Sequence, residues 1–194
     1  MVADKIRSLK VLNHVDFMIL GDPIKSIFFP MWGKETGLPD VYQNTYQKGG
    51  SDKIIINIWA LSNNTDATYR MFPLDGTVNT GFDYSIIFYD AVTRKKSESI
   101  DLWVSIKNQI ASKQHEDRKC NLVVIIVKTP KTQNIYSEIS SYCEKNNIHK
   151  IIIENNEVEI TKIKDLLKNL SDVVYKERKQ KLVNKVTEIL KNQA

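Results

Sequence analysis

Four short runs of mainly apolar residues, at positions 15–20 (VDFMIL), 83–89 (DYSIIFY), 122–127 (LVVIIV) and 150–153 (KIII), show little polar alternation and suit strands buried on both faces. Strands of that kind need helices on each side, and helical patterns do lie between them. Ile100, Trp103, Val104, Ile106 and Ile110 recur at helical spacing within 97–113, with Ser97 or Ser99 placed to cap, and a further helix is expected over 135–145. One pair departs from the parallel plan. Residues 41–47 and 53–60 (KIIINIWA) flank Gly49, Gly50, Ser51 and Asp52, a hairpin signal that makes them antiparallel. The expected fold is α/β: a doubly wound, mostly parallel sheet with one antiparallel edge strand, its ligand crevice at the carboxyl ends of the strands.

The chain from Thr161 onward has helical propensity, but its apolar stripe changes face. Ile163, Leu167, Leu170 and Val174 share one side, whereas Leu182, Val183, Val186, Ile189 and Leu190 share another, about a quarter turn away at ~100° per residue. A core-packed helix to about Tyr175 is therefore expected, followed by a bend or a second amphipathic helix. This divides the chain into a body, 1–175, and a basic C-terminal extension, 176–194. The net charge of +5 is concentrated in the same region: residues 161–194 carry nine bases against four acids, while residues 1–160 balance at 19 of each. A basic tail suits an acidic protein partner or an anionic membrane surface. Its only aromatic is Tyr175 and it has no base-reading pattern, so it carries no strong nucleic-acid signal.

Several function classes are not supported. The longest apolar runs are strand-sized and too short to span a bilayer. No signal peptide, prenylation box or myristoylation glycine is visible, so a soluble, cytoplasmic protein without a lipid anchor is expected. Cys120 and Cys143, with His14, His115 and His149, fall into no metal-ligand or nucleophile–base spacing; no metal and no cofactor are expected, and the thiols read as reduced. Glu154, Glu157 and Glu159 lie where a helix should begin, a position in which acids suit the helix dipole.

In detail the chain resembles the Ras superfamily of small GTPases, its Rab and Ran members in particular. DFMILGDPIKS is similar to the first strand and phosphate loop, which read like LVLVGD…GKS. KIIINIWA resembles the strand entering IWDTAGQ, and the following ATYRM resembles ERFRxM. FDYSIIFYDAVTRKKSESIDLWVSIKNQI is similar to ADGVIVVYDVTNRESFENLKKWLKEI almost position for position, and LVVIIVKTP and KIIIEN fall where the base-reading strands belong. The likeness runs from residue 15 to about 174.

The family's functional positions, however, hold other residues. A phosphate loop spaced Gly-x-x-x-x-Gly-Lys-Ser/Thr wraps backbone N–H groups around a phosphate. Here Gly21, Asp22, Pro23, Ile24, Lys25 and Ser26 make a loop two residues short, with a proline that has no N–H to offer. Lys25 and Ser26 match the family's phosphate lysine and magnesium-binding hydroxyl. Ala60 replaces the magnesium-side aspartate, Asn63 the γ-phosphate glycine and Asn64 the water-orienting glutamine. The guanine-reading Asn-Lys-x-Asp corresponds to Lys128, Thr129, Pro130 and Lys131, so an acceptor carboxylate has become a donor. The final Ser-Ala-Lys loop corresponds to about Asn155, Asn156 and Glu157, and Thr45 stands near the family's metal-binding threonine, where it reads as an exposed strand residue.

The resemblance thus implies a degenerate G domain: a pseudo-GTPase without bound nucleotide or GTPase activity, serving as an interaction or scaffold module for a protein partner or for self-association. Two alternatives remain open at this point. One is an atypical GTP- or ATP-binding switch using Lys25 and Ser26 in a rebuilt loop; the other is an adaptor acting through the basic tail. Candidate contact residues are Leu182, Val186 and Ile189 on the tail and Trp59, since small GTPases present aromatics on the antiparallel pair.

Overall fold

The computed structural model describes residues 12–22, 33–35, 41–48, 52–60, 81–91, 98–112, 120–128, 133–154 and 156–191. In chain order they form β1 (His14–Gly21), β2 (Lys34–Glu35), β3 (Val41–Gln47), β4 (Lys53–Ala60), β5 (Tyr84–Asp90), α1 (Glu98–Ala111), β6 (Asn121–Lys128), α2 (Gln133–Lys145), β7 (His149–Glu154) and α3 (Glu157–Lys191). The strands make one seven-stranded sheet in the order β2-β3-β4-β1-β5-β6-β7. β4, β1, β5, β6 and β7 pair in parallel, whereas β3 pairs antiparallel with both β4 and β2. The expected antiparallel strand is present, but the edge lies one strand further out. β2 has two residues and no apolar run, which leaves nothing for periodicity to find. It sits close to β3: Gly33 has φ +140°, and a β-carbon there would lie 2.1 Å from the Gln43 carbonyl oxygen.

Because side chains alternate along a strand, each central strand feeds two cores. On one face Phe17, Ile19, Ile56, Ile86 and Ile125 pack with Ile163, Leu167 and Val174 of α3. On the other, Met18, Leu20, Ile87 and Val124 pack with Ile100, Trp103 and Ile106 of α1 and Ile139 and Cys143 of α2. Both cysteines are buried and neither is in a disulfide, and burial pushes the Cys143 thiol above its ordinary pKa. A doubly wound sheet is what the two-sided burial of its central strands demands.

The long helix α3 corrects two expectations. It begins one turn early, at Glu157, because the Asn156 side chain accepts the Glu159 N–H at 2.9 Å and caps it. It also runs 35 residues without a break, about 52 Å at 1.5 Å per residue. The bend expected after Tyr175 is absent, since residues 175–181 contain neither Pro nor Gly and are mostly good helix formers. The shift in apolar phase records a change in what the helix faces. Up to Arg178 it lies against the sheet. Beyond that residue it projects, and from Lys179 onward the side chains whose burial is described are exposed, except that of half-buried Leu182. Val183, Val186 and Ile189 are 51%, 48% and 44% exposed.

Candidate functional site

The carboxyl ends of β1, β4, β5, β6 and β7 bring Gly21, Ala60, Asp90, Lys128 and Glu154 to one edge of the sheet. Gly21 has φ +107°, and a β-carbon there would stand 2.1 Å from the Phe88 carbonyl oxygen, so only glycine fits. The close approach lets the next residue stay joined to β5. Asp22 donates its N–H to the Phe88 carbonyl at 2.9 Å, and its carboxylate accepts the Asp90 N–H at 2.8 Å. Both aspartates are buried, at 1% and 7% exposure. Ala60 is buried beside Ile19 at the end of β4, and Lys128 meets Glu154 across β6 and β7 at 3.8 Å. Thr45 is exposed on β3. Lys25, Ser26, Asn63, Asn64 and Lys131 lie outside the described residues. Among the described residues no group of His, Cys, Asp and Glu could hold a metal ion, and no helix is long and apolar enough to cross a membrane.

The amino ends of the strands carry a second polar centre that the sequence did not announce. Asp83, just before β5, accepts the Asp16 N–H at 3.0 Å with one carboxylate oxygen and the Arg178 guanidinium with the other. Arg178 also donates to the His14 carbonyl. Asp16 in turn accepts from the Asn57 amide at 2.9 Å and from the Trp59 indole N–H at 3.5 Å. Trp59 is thus tethered to Asp16 through its indole N–H. It is half-buried, its ring edge-on to Phe82 with centroids 6.2 Å apart, and it packs against the second core cluster.

A third cluster ties the β3–β4 hairpin to α3. The Tyr46 hydroxyl donates to Asp172 at 2.9 Å, where Lys48 also binds, and the Tyr175 hydroxyl donates to Asp52 at 2.7 Å, with Lys179 3.6 Å from the same carboxylate. The hydrogen bond from Tyr175 lowers the Asp52 pKa, with burial opposing and Lys179 adding to it. Burial alone would raise Asp172, but the Lys48 and Tyr46 contacts outweigh it and hold the carboxyl below its ordinary range. Burial first, and then the Asp172 contact, raises the Tyr46 hydroxyl.

This topology has a counterpart among solved structures. The FeoB G-domain from Methanococcus jannaschii superposes with a TM-score of 0.52 at 10% identity, over 82% of this chain and 99% of that one. The fold is that of a G domain. At this identity the likeness concerns the fold alone. No family model matches the chain, and no curated protein matches it.

Proposed function

We propose that this chain is a G-domain shell that binds partners without using a nucleotide, a pseudo-GTPase serving as an interaction module. The observation that carries this reading is the double attachment of Asp22 to β5, through its N–H and its carboxylate. A phosphate cradle is built from successive N–H groups that point at the ligand. With Asp22 committed and Pro23 lacking an N–H, Ile24 supplies the only backbone donor between Asp22 and Lys25. Ala60, Asn63 and Asn64 in place of the family's metal and water residues, and Lys131 in place of its base-reading carboxylate, support the same reading.

The contact surface belonging to this role is the projecting part of α3, where Leu182, Val186 and Ile189 lie along one side. Trp59 is the weaker candidate, since its ring is half-buried against the second core cluster. The deciding experiment is nucleotide content. Purified protein, denatured and chromatographed, is expected to release none, and millimolar GTP, GDP or ATP with magnesium is expected to leave the melting temperature unmoved. A ligand at 100 times its Kd would add about 2.7 kcal/mol, so stoichiometric nucleotide or a clear thermal shift would establish the atypical switch instead.

A further inference from the structure

We propose that two copies of this chain pair through their β7 strands, antiparallel and in one register, so that the sheet continues from one molecule into the next. β7 is the outermost strand on its side of the sheet, and among the described residues no strand lies against its far side. It is six residues long and contains no proline. Ile151 and Ile152 are only half-buried, and they belong to opposite faces, one packed against each core cluster.

Backbone direction decides what this edge offers. In an extended strand the N–H and C=O of one residue point the same way, and successive residues point to opposite sides. The Asn121 N–H bonds to the Asp83 carbonyl and the Val127 carbonyl accepts the Ala91 N–H, both on the β5 side. The odd-numbered residues of β6 therefore address β5, and the even-numbered ones address β7. Ile126 stands across from Ile152, and Val124 from Lys150. In a parallel ladder, a residue that addresses its neighbour bonds to the two residues flanking its opposite number. His149, Ile151 and Ile153 thus complete the ladder to β6, while Lys150, Ile152 and Glu154 turn their backbone groups outward. The Glu154 carbonyl already takes the Asn156 N–H at 2.8 Å, which marks the end of the edge.

Antiparallel pairing sets outward residues opposite outward residues, so few registers exist. With Ile152 opposite its own copy, Lys150 meets Glu154 twice, and Ile151 faces Ile153 on the other side of the sheet. Moving the centre by one residue sets Lys150 or Glu154 against Ile152; moving it by two sets one of those charges against itself. Charges on an edge strand ordinarily keep copies apart, yet in the central register each one is answered. Lys150 already pairs with Glu144 of α2 at 2.5 Å, and Glu154 with Lys128 at 3.8 Å. Pairing therefore links two ion pairs into a chain of alternating sign at each end of the contact. A second copy carries the matching pattern by symmetry, which an unrelated extended segment has no reason to do. This contact goes beyond the binding-module reading and uses a different surface from the projecting turns of α3. Nucleotide content decides the one and chain association the other.

The test is sedimentation velocity on the full chain, which is expected to dimerise with a Kd below about 100 µM. Glu154→Lys and Lys150→Glu each set like charges across the two-fold, and each is expected to weaken the dimer at least tenfold. An equimolar mixture of the two variants is expected to recover it, because every opposed pair is then Lys with Glu. Ile152→Pro removes an outward N–H without touching the β6 ladder and is expected to weaken the dimer at least tenfold, while Val186→Asp on α3 leaves it unchanged. Since Lys150 also serves Glu144, Glu154→Lys and Ile152→Pro decide the matter alone if Lys150→Glu does not fold. A monomer at that concentration, a dimer indifferent to these changes, a mixture no tighter than its components, or a dimer lost in Val186→Asp would overturn the proposal.

Discussion

Arg178 and Asp83, 95 residues apart in sequence, form an ion pair at the amino end of the sheet that leaves their side chains only 17% and 7% exposed. The guanidinium has a second acceptor in the His14 carbonyl, and the Asp83 carboxylate has a second donor in the Asp16 N–H. One side chain of the long helix thus joins the start of β1 to the start of β5. Replacing it strands a buried carboxylate, which costs far more than losing a surface pair.

Arg178→Ala is expected to lower stability by about 3 kcal/mol in urea denaturation. Arg178→Lys is expected to recover only part of this, because a single ammonium cannot reproduce the fork that reaches two acceptors. A loss below about 0.5 kcal/mol, ordinary for a surface substitution, would mean that the pair does not hold the helix.

Truncation should show where the body ends. Removing residues 181–194 is expected to leave the sheet's melting temperature close to that of the full chain. Removing 178–194 should lower it clearly, because that cut takes Arg178. Equal melting of the two truncations would restore the boundary at 175/176 suggested by the sequence.

Gly21→Ala places a methyl group 2.1 Å from a backbone oxygen at a φ that L-residues rarely adopt. Loss of more than about 2 kcal/mol, or failure to fold, is expected. Lys25→Ala and Ser26→Ala should change stability by no more than about 0.5 kcal/mol and leave partner binding intact. If either abolished a cellular function while the fold persisted, an anion would still be bound there.

The hairpin clamp makes an acid-side prediction. Asp52 and Asp172 both have pKa values below the unfolded 3.8, so they add stability that is fully present above that value. It is lost as pH falls through their folded values. Tyr175→Phe removes the chief cause of the Asp52 shift, so wild type and variant should differ in melting temperature near neutral pH and converge as pH falls through the folded value. Parallel curves across that range would assign the clamp no electrostatic part.

β1 was readable because burial on both faces leaves an unmistakable run, and the strand extends one residue beyond each end of it, whereas β3 and β4, whose burial alternates, fall on the residues read from their hairpin signal. The tail was misread for a physical reason. A change of apolar phase looks the same whether the backbone bends or the surroundings end, and residues 175–181 favour helix in either case. Asp83 and Arg178 gave no local signal, since each looks like a solvated charge until the topology brings them together. Trp59 was offered as a contact residue because small GTPases present aromatics on the antiparallel pair; the structure leaves it half-buried, with an acceptor for its indole N–H in Asp16 that the sequence did not signal. At the carboxyl end, the short loop after Gly21 was legible, whereas the bonds from Asp22 to Phe88 and Asp90 were not.

The course of α3 has a spatial consequence. The helix starts beside the carboxyl ends of the strands and crosses to their amino ends by Arg178, roughly 32 Å further along at 1.5 Å per residue. The carboxyl ends of the strands and the protruding turns of the helix therefore lie toward opposite poles of the sheet. The unbroken helix between them holds those two ends of the molecule at a fixed separation.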